Sequence, residues 1–316
     1  MLIRVSRGWE LPESAATPEG AAIGRRAAMG GVLAGAVALG LAGRARAADG
    51  TSVPQDPAVD AAYVPGRAVT PEDVATTYNN FYEFGEDKFI ARAAQKLPQT
   101  PWAIKIDGLV EAPMTLGLED LLKKMPLEQR VYRHRCVETW AMTVPWTGFQ
   151  LSELVKLAKP LSSAKFVTFT TAMLPKVMPG LRQSFYPWPY TEGVTIAEAA
   201  NPLAFLVTGM YGKPLPPQDG GPFRLALPWK YGFKSAKSIV TVSFTDAEPH
   251  TFWEAINPDE YGFWANVNPG VPHPRWSQAS ERLIGSDARV PTQIYNGYGE
   301  FVASLYPDTT TRKYFM

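Results

Sequence analysis

Apolar positions divide residues 102–244 into short strands with two helices between them. Trp102 to Ile106 alternates apolar and polar side chains at the strand period, and Asp107-Gly108 supplies the turn that ends it. Leu118 to Met125 reads as a short helix stopped by Pro126. Arg130 to Glu138 has strand character, which sets His134 and Cys136 on one face and Arg133 and Arg135 on the other. The apolar spacing in Leu151 to Lys159 is helical and ends at Pro160. Lys165 to Thr171 is rich in β-branched and aromatic residues and predicts a strand. Further strands are expected at Leu203–Met210, Phe223–Leu227 and Ser238–Phe244.

Between and after these elements the periods break down. Ala172 to Tyr190 is a long run of Met, Pro, Trp and Tyr, and loops of that length are usually functional. Lys213 to Pro222 is a rigid, turn-rich connection. The tail from Asp246 onward is loop-like, with one helical candidate at Ser277–Leu283. Upstream, residues 48–77 lack a clear period and read as an extended arm. Thr77 to Gly85 packs four aromatics among two Asn and a Glu, an ordered loop with its polar groups aimed at something. The fold class is mixed α+β, strand-rich, with one domain over residues 78–316.

The first 47 residues change this picture. Arg25-Arg26 precedes a Gly/Ala/Leu/Val run to about Gly43, followed by small residues at a cleavage position near Ala47. That order predicts an export signal, and the arginine pair with a weakly hydrophobic core points to the twin-arginine route. Export of an already folded chain implies a cofactor inserted before export. Removing residues 1–47 takes away six Arg and three Glu, so the formal charge falls from +1 to −2. The remainder carries no basic block, which argues against nucleic acid as a partner.

Cys136 is the only cysteine in 316 residues, so no intramolecular disulfide is possible. In an oxidising compartment such a thiol must be buried, ligated or functional. Cationic neighbours favour the thiolate, the form that attacks and ligates. A thiol–imidazole pair with His134 lacks an orienting third residue, and side chains two apart on a strand lie roughly parallel. One Cys with His134, His250 and His273 shows none of the usual zinc spacings. Nucleophile-elbow, Rossmann and P-loop patterns are absent. A soft metal held by one thiolate, its other ligands coming from a cofactor, is the remaining reading.

Several segments carry a resemblance. They are Tyr78–Gly85, Arg133-x-Arg135-Cys136-Val137-Glu138-x-Trp140 with Val144-Pro145-Trp146-x-Gly148-Phe149, Leu215–Gln218, Pro228–Lys234, Pro258–Phe263, Asn266–Pro269, His273–Ala279 and Asn296–Tyr298. Together they resemble the periplasmic protein-methionine-sulfoxide reductase catalytic subunits of the sulfite-oxidase-like molybdopterin fold. The resemblance implies one molybdenum bound to one molybdopterin dithiolene, with Cys136 as its protein thiolate ligand. It implies that Asn79, Tyr82, Glu83 and Thr171 line the pterin, and that Asp219, Arg224, Ser235, Ala236 and Lys237 hold the pterin and its terminal phosphate. Asp219 stands where the family has Asn, and Ser235 where it has Gly. The motif arginines are then expected as counter-charges around an anionic metal centre. The implied activity is repair of methionine sulfoxide in periplasmic proteins. Electrons are expected from a haem-containing, quinol-linked membrane subunit, since the chain has no Cys-x-x-Cys-His. Alternatives are a sulfite-oxidising enzyme of the same fold and a non-catalytic exported peptide-binding protein. Residues 172–190 and the Trp-rich tail are expected to frame an open mouth for a protein substrate.

Overall fold

Strand-forming segments assemble into two sheets. The structure, a computed structural model, describes Tyr63, residues 66–308 and residues 311–316. All of these belong to one compact unit, Asp49–Met316. The export signal read in residues 1–47 lies outside the described residues, as does most of the arm; within its described part Glu72–Ala75 forms a helical turn.

The first sheet contains β1 (Ala103–Gly108), β2 (Met114–Gly117), β5 (Phe166–Thr171), β6 (Thr191–Thr195) and β10 (Ile239–Thr245), ordered β2-β1-β10-β5-β6. Only β1 and β10 run parallel in it. Alternation is clean in β5, where Val167, Phe169 and Thr171 are buried and the residues between them are half-buried. The turn after β1 needs Gly108: its φ is +81°, and a Cβ there would lie 2.2 Å from the Phe244 carbonyl oxygen.

The second sheet is built around β4 (Trp140–Gln150), the longest strand. β3 (Glu128–Arg135) pairs antiparallel along most of it, β7 (Phe205–Met210) along its C-terminal half, and β11 (Ser280–Leu283) parallel at Trp140 and Ala141. β8 (Lys213–Pro214) and β9 (Arg224–Ala226) pair with β7, and β12 (Arg289–Pro291) with β11. All six residues of β7 are buried, as a central strand's continuous apolar run requires. Side chains from both sheets, among them Ile104, Phe169, Val144 and Leu206, join one continuous hydrophobic cluster.

The helix Leu151–Ala158 buries Leu151, Leu154 and Ala158 on one face and stops at Lys159, which turns left-handed. One expectation fails. Ser277–Leu283 is not helical, because Ser280–Leu283 is β11. Its Glu281 is fully buried and pairs with Arg67 and Arg135, so a tertiary ion pair overrides local spacing. Among the described residues no helix is long and apolar enough to cross a membrane.

Candidate active site

β3 ends at Arg135, one residue before Cys136, so the cysteine opens the turn into β4 rather than lying on the strand. The turn is closed by the Thr139 amide donating to the Cys136 carbonyl at 3.0 Å and the Cys136 amide donating to the Trp140 carbonyl at 2.9 Å. Thr139 takes a positive φ of 69° to make it. Cys136 thereby faces a cavity of about 670 Å³. His134 lines the same cavity, but no hydrogen bond joins it to the sulfur among the described residues. Burial, then Arg224 and Lys237, hold its imidazole well below the usual range, so it is neutral at pH 7. Burial pushes the Cys136 thiol up to about 12, with Glu138 adding to the effect. A thiolate here therefore needs a cation bound directly to it.

The motif arginines do not reach the sulfur. Arg135 is fully buried and turns away, donating to Glu281 at 2.8 Å and Gln278 at 2.7 Å. Arg133 reaches Gln293 and the Asn296 carbonyl. Neither lines the cavity, so the counter-charge expected of them acts only from behind the turn, where Arg135 donates to the Cys136 carbonyl and its charge favours the thiolate.

Among the described residues five cations line the cavity: Arg224, Lys237 and Lys88, with Arg275 and Arg282. Asp219 ends the turn Pro217–Asp219, Arg224 opens β9, and Lys237 lies two residues before β10. The Asn79 amide donates to Asp219 Oδ1 at 2.7 Å, and Arg224 donates to the Asp219 backbone carbonyl at 2.7 Å. Burial is the main cause of every shift in this cluster. It lowers Lys237 to about 7, helped by Arg224; it lowers Arg224 to about 10; it raises Asp219 to about 7 against the pull of both cations. Asp219 Oδ2, Arg224 Nη2 and Asn79 Oδ1 are buried without a hydrogen-bond partner among the described residues. The unpaired Arg224 donor and the nearby Lys237 cation are costly by themselves and suit an anion carrying acceptor oxygens, whereas the two orphaned oxygens call for a donor on the same group.

Glu83 lines the cavity and accepts from Thr171 Oγ1 at 2.8 Å, so Thr171 reaches the site through Glu83 rather than directly. Burial raises the Glu83 carboxyl. Ser235 faces the cavity while its hydroxyl accepts from the Leu227 amide at 3.2 Å; Ala236 is buried behind it, its carbonyl taking the Leu225 amide. The aromatic loop is pinned by Gly180, whose amide donates to the Glu83 carbonyl at 2.8 Å. At the mouth, Tyr82 packs edge-on against Trp253 (4.9 Å between ring centroids) and Tyr186 (5.9 Å), with Tyr261 and Trp276 beyond.

Among the lining residues without a role from sequence reasoning, Asn80, Lys88 and Glu138 stand beside the sulfur. Asn80 Nδ2 stands 3.5 Å from Cys136 Sγ and 3.0 Å from Glu138 Oε2, and Lys88 Nζ is 2.7 Å from the same carboxylate oxygen. Burial pushes Glu138 up, but the bonds from Lys88, Asn80 and Trp140 outweigh it and its pKa lies below the usual value. Glu138 and Asn80 lie inside matched motifs; Lys88, outside them, had no local signal.

Among the described residues no three or more His, Cys, Asp or Glu cluster closely enough to hold a metal. A single thiol beside two close cations is a donor set that would suit a metal carried by an anionic cofactor. Comparison with known proteins defines the class. The profile of the family described as "Oxidoreductase molybdopterin binding domain" matches residues 92–253. The unpaired Arg224 donor, the neighbouring Lys237 and the lone thiol fit such a group. The sequence is also 47% identical, over 98% of this chain and 96% of the relative, to the protein-methionine-sulfoxide reductase catalytic subunit MsrP of Burkholderia mallei. The chain belongs to that family of molybdopterin-binding oxidoreductases. Among solved structures, the sulfane dehydrogenase SoxCD of Paracoccus pantotrophus is 19% identical with a TM-score of 0.42, covering 49% of this chain and 40% of that one.

Proposed function

We propose that the protein is a periplasmic, molybdopterin-dependent reductase of methionine sulfoxide in proteins. The observation that carries this reading is the cavity itself: one buried thiol between the Arg224–Lys237 pair, with an Arg224 donor left unpaired, and an aromatic mouth. Reducing a sulfoxide to a thioether releases its oxygen as water and consumes two electrons and two protons. Molybdenum held by a pterin dithiolene supplies that oxygen-atom and two-electron chemistry when bound.

The chain's own residues do the rest. Cys136 holds the metal as thiolate. Asn79, Tyr82 and Glu83, the last oriented by Thr171, form the pterin wall. Arg224 and Lys237 hold the terminal phosphate, supported by the Ser235–Ala236 backbone, and Asp219 contributes through its neighbours: its carbonyl and Oδ1 fix Arg224 and Asn79. Burial holds the Tyr82 hydroxyl above its usual range, so it stays a neutral donor at the mouth. Tyr82, Tyr186, Trp253 and Tyr261 offer aromatic faces and edges that suit a sulfur-bearing side chain. Electrons come from a haem-containing membrane subunit fed by quinols, and the substrates are oxidised periplasmic proteins.

The test is an assay of the exported protein with a reduced viologen as electron donor. Turnover of protein-bound methionine sulfoxide is expected. Turnover of sulfite with a cytochrome acceptor, and none of the sulfoxide, rejects the proposal.

A further inference from the structure

Residues 79–88 form a closed loop, its ends tied by the Asn79 amide donating to the Lys88 carbonyl at 3.1 Å. The closure brings the Lys88 side chain back across Asn80. There Lys88 donates both to Asn80 Oδ1 and, at 2.7 Å, to Glu138 Oε2. Asn80 Nδ2 then points the other way, 3.0 Å from Glu138 Oε2 and 3.5 Å from Cys136 Sγ.

An amide has an acceptor end and a donor end, and which end meets the sulfur depends on what holds the other. A flipped Asn80 would set its oxygen against a thiolate and a carboxylate, both acceptors. Lys88 has only donors, so its contact with Oδ1 is compatible with one orientation alone. Glu138 Oε2 lies 3.7 Å from Sγ, and Lys88 also offsets that negative charge beside the sulfur.

We propose that Lys88 is a positioning residue for the metal thiolate, locking the Asn80 amide so that its N–H groups face Cys136 and Glu138. A hydrogen bond to a metal-bound thiolate withdraws electron density from the sulfur, and a nearby cation acts in the same sense. Both raise the reduction potential of the metal, which favours its reduction by an external donor. The inference rests on the reading of Cys136 as metal ligand.

The test is an EPR-monitored redox titration of the molybdenum-loaded enzyme, with metal content measured on the same samples. Lys88→Met is expected to move the midpoint potential to a more negative value and alter the EPR g-values. Lys88→Arg, which keeps donors and charge, restores most of the wild-type potential. Asn80→Leu, which leaves Lys88 in place, moves it in the same direction as Lys88→Met. EPR reads only metal-loaded molecules, so partial loading of a variant does not obscure the result. Loaded Lys88→Met and Asn80→Leu with wild-type potentials, or with positive shifts, overturn the inference. A folded wild-type chain without molybdenum instead overturns the ligand reading beneath it, and this inference with it.

Discussion

Glu281 joins the second sheet to the Cys136 turn, and neutralising it tests that connection. Its carboxylate and the Arg135 side chain are both fully buried and meet at 2.8 Å, while Arg67, 14% exposed, binds the other carboxylate oxygen. Arg135 in turn donates to the Cys136 carbonyl, and Gln278 donates to the Val137 carbonyl at 2.8 Å while accepting from Arg135. Glu281→Gln keeps the shape but leaves two guanidinium groups facing an uncharged amide. Breaking a buried pair by removing one partner costs about 3–5 kcal/mol, because the desolvated charge remains. At about 2–4 °C per kcal/mol for a chain of this size, the melting temperature should fall by about 6–20 °C. Urea denaturation of wild type and variant measures the loss directly. The double variant Arg135→Met, Glu281→Leu should lose less than the sum of the two single changes by about 0.5–3 kcal/mol. A loss below about 1 kcal/mol for Glu281→Gln would refute the reasoning, since it would mean that water and the neutral acceptors Gln278 and Thr292 satisfy Arg135 without the carboxylate.

Other expected outcomes concern the cavity. Lys237→Met should leave the cofactor-free fold at least as stable, since it removes a buried cation, while lowering the pterin recovered with the purified protein; undiminished pterin would contradict the phosphate role. A bound phosphate raises the pKa of Lys237 from about 7 and also that of Asp219 from about 7, so binding takes up protons. Cofactor retention should therefore weaken as pH rises above about 7, and a flat profile of retained pterin fluorescence between pH 6 and 9 would count against the assignment. Gly180→Ala would place a Cβ 2.0 Å from the Tyr82 carbonyl oxygen. It should cost about 1–3 kcal/mol in urea denaturation and loosen the loop that carries Asn79 to Glu83.

Strands with a strong period of their own, such as Phe166–Thr171 and Phe205–Met210, were legible in the sequence to within two residues. Ser280–Leu283 was not: Ala279 and Leu283 mimic helical spacing, and the strand depends on a buried charge whose partners are 146 and 214 residues away. The same distance effect hid the role of Arg135. Beside Cys136 in sequence it reads as a counter-charge, yet its partner lies on β11 and its side chain leaves the cavity. Cys136 stood out because it is the only thiol; Arg224 and Lys237 lie outside the matched motifs, and only the resemblance marked them. Lys88 was not, because a single lysine on an irregular loop has no period or spacing to mark it, and only the closure of residues 79–88 gives it a partner.

Metal and pterin analysis of the purified protein tests the central claim most directly, with Cys136→Ser prepared in parallel. The account predicts about one molybdenum and one pterin per wild-type chain, with molybdenum and sulfoxide reduction lost in the variant. A folded wild-type chain carrying neither, or a Cys136→Ser protein that keeps its metal and full activity, would contradict it.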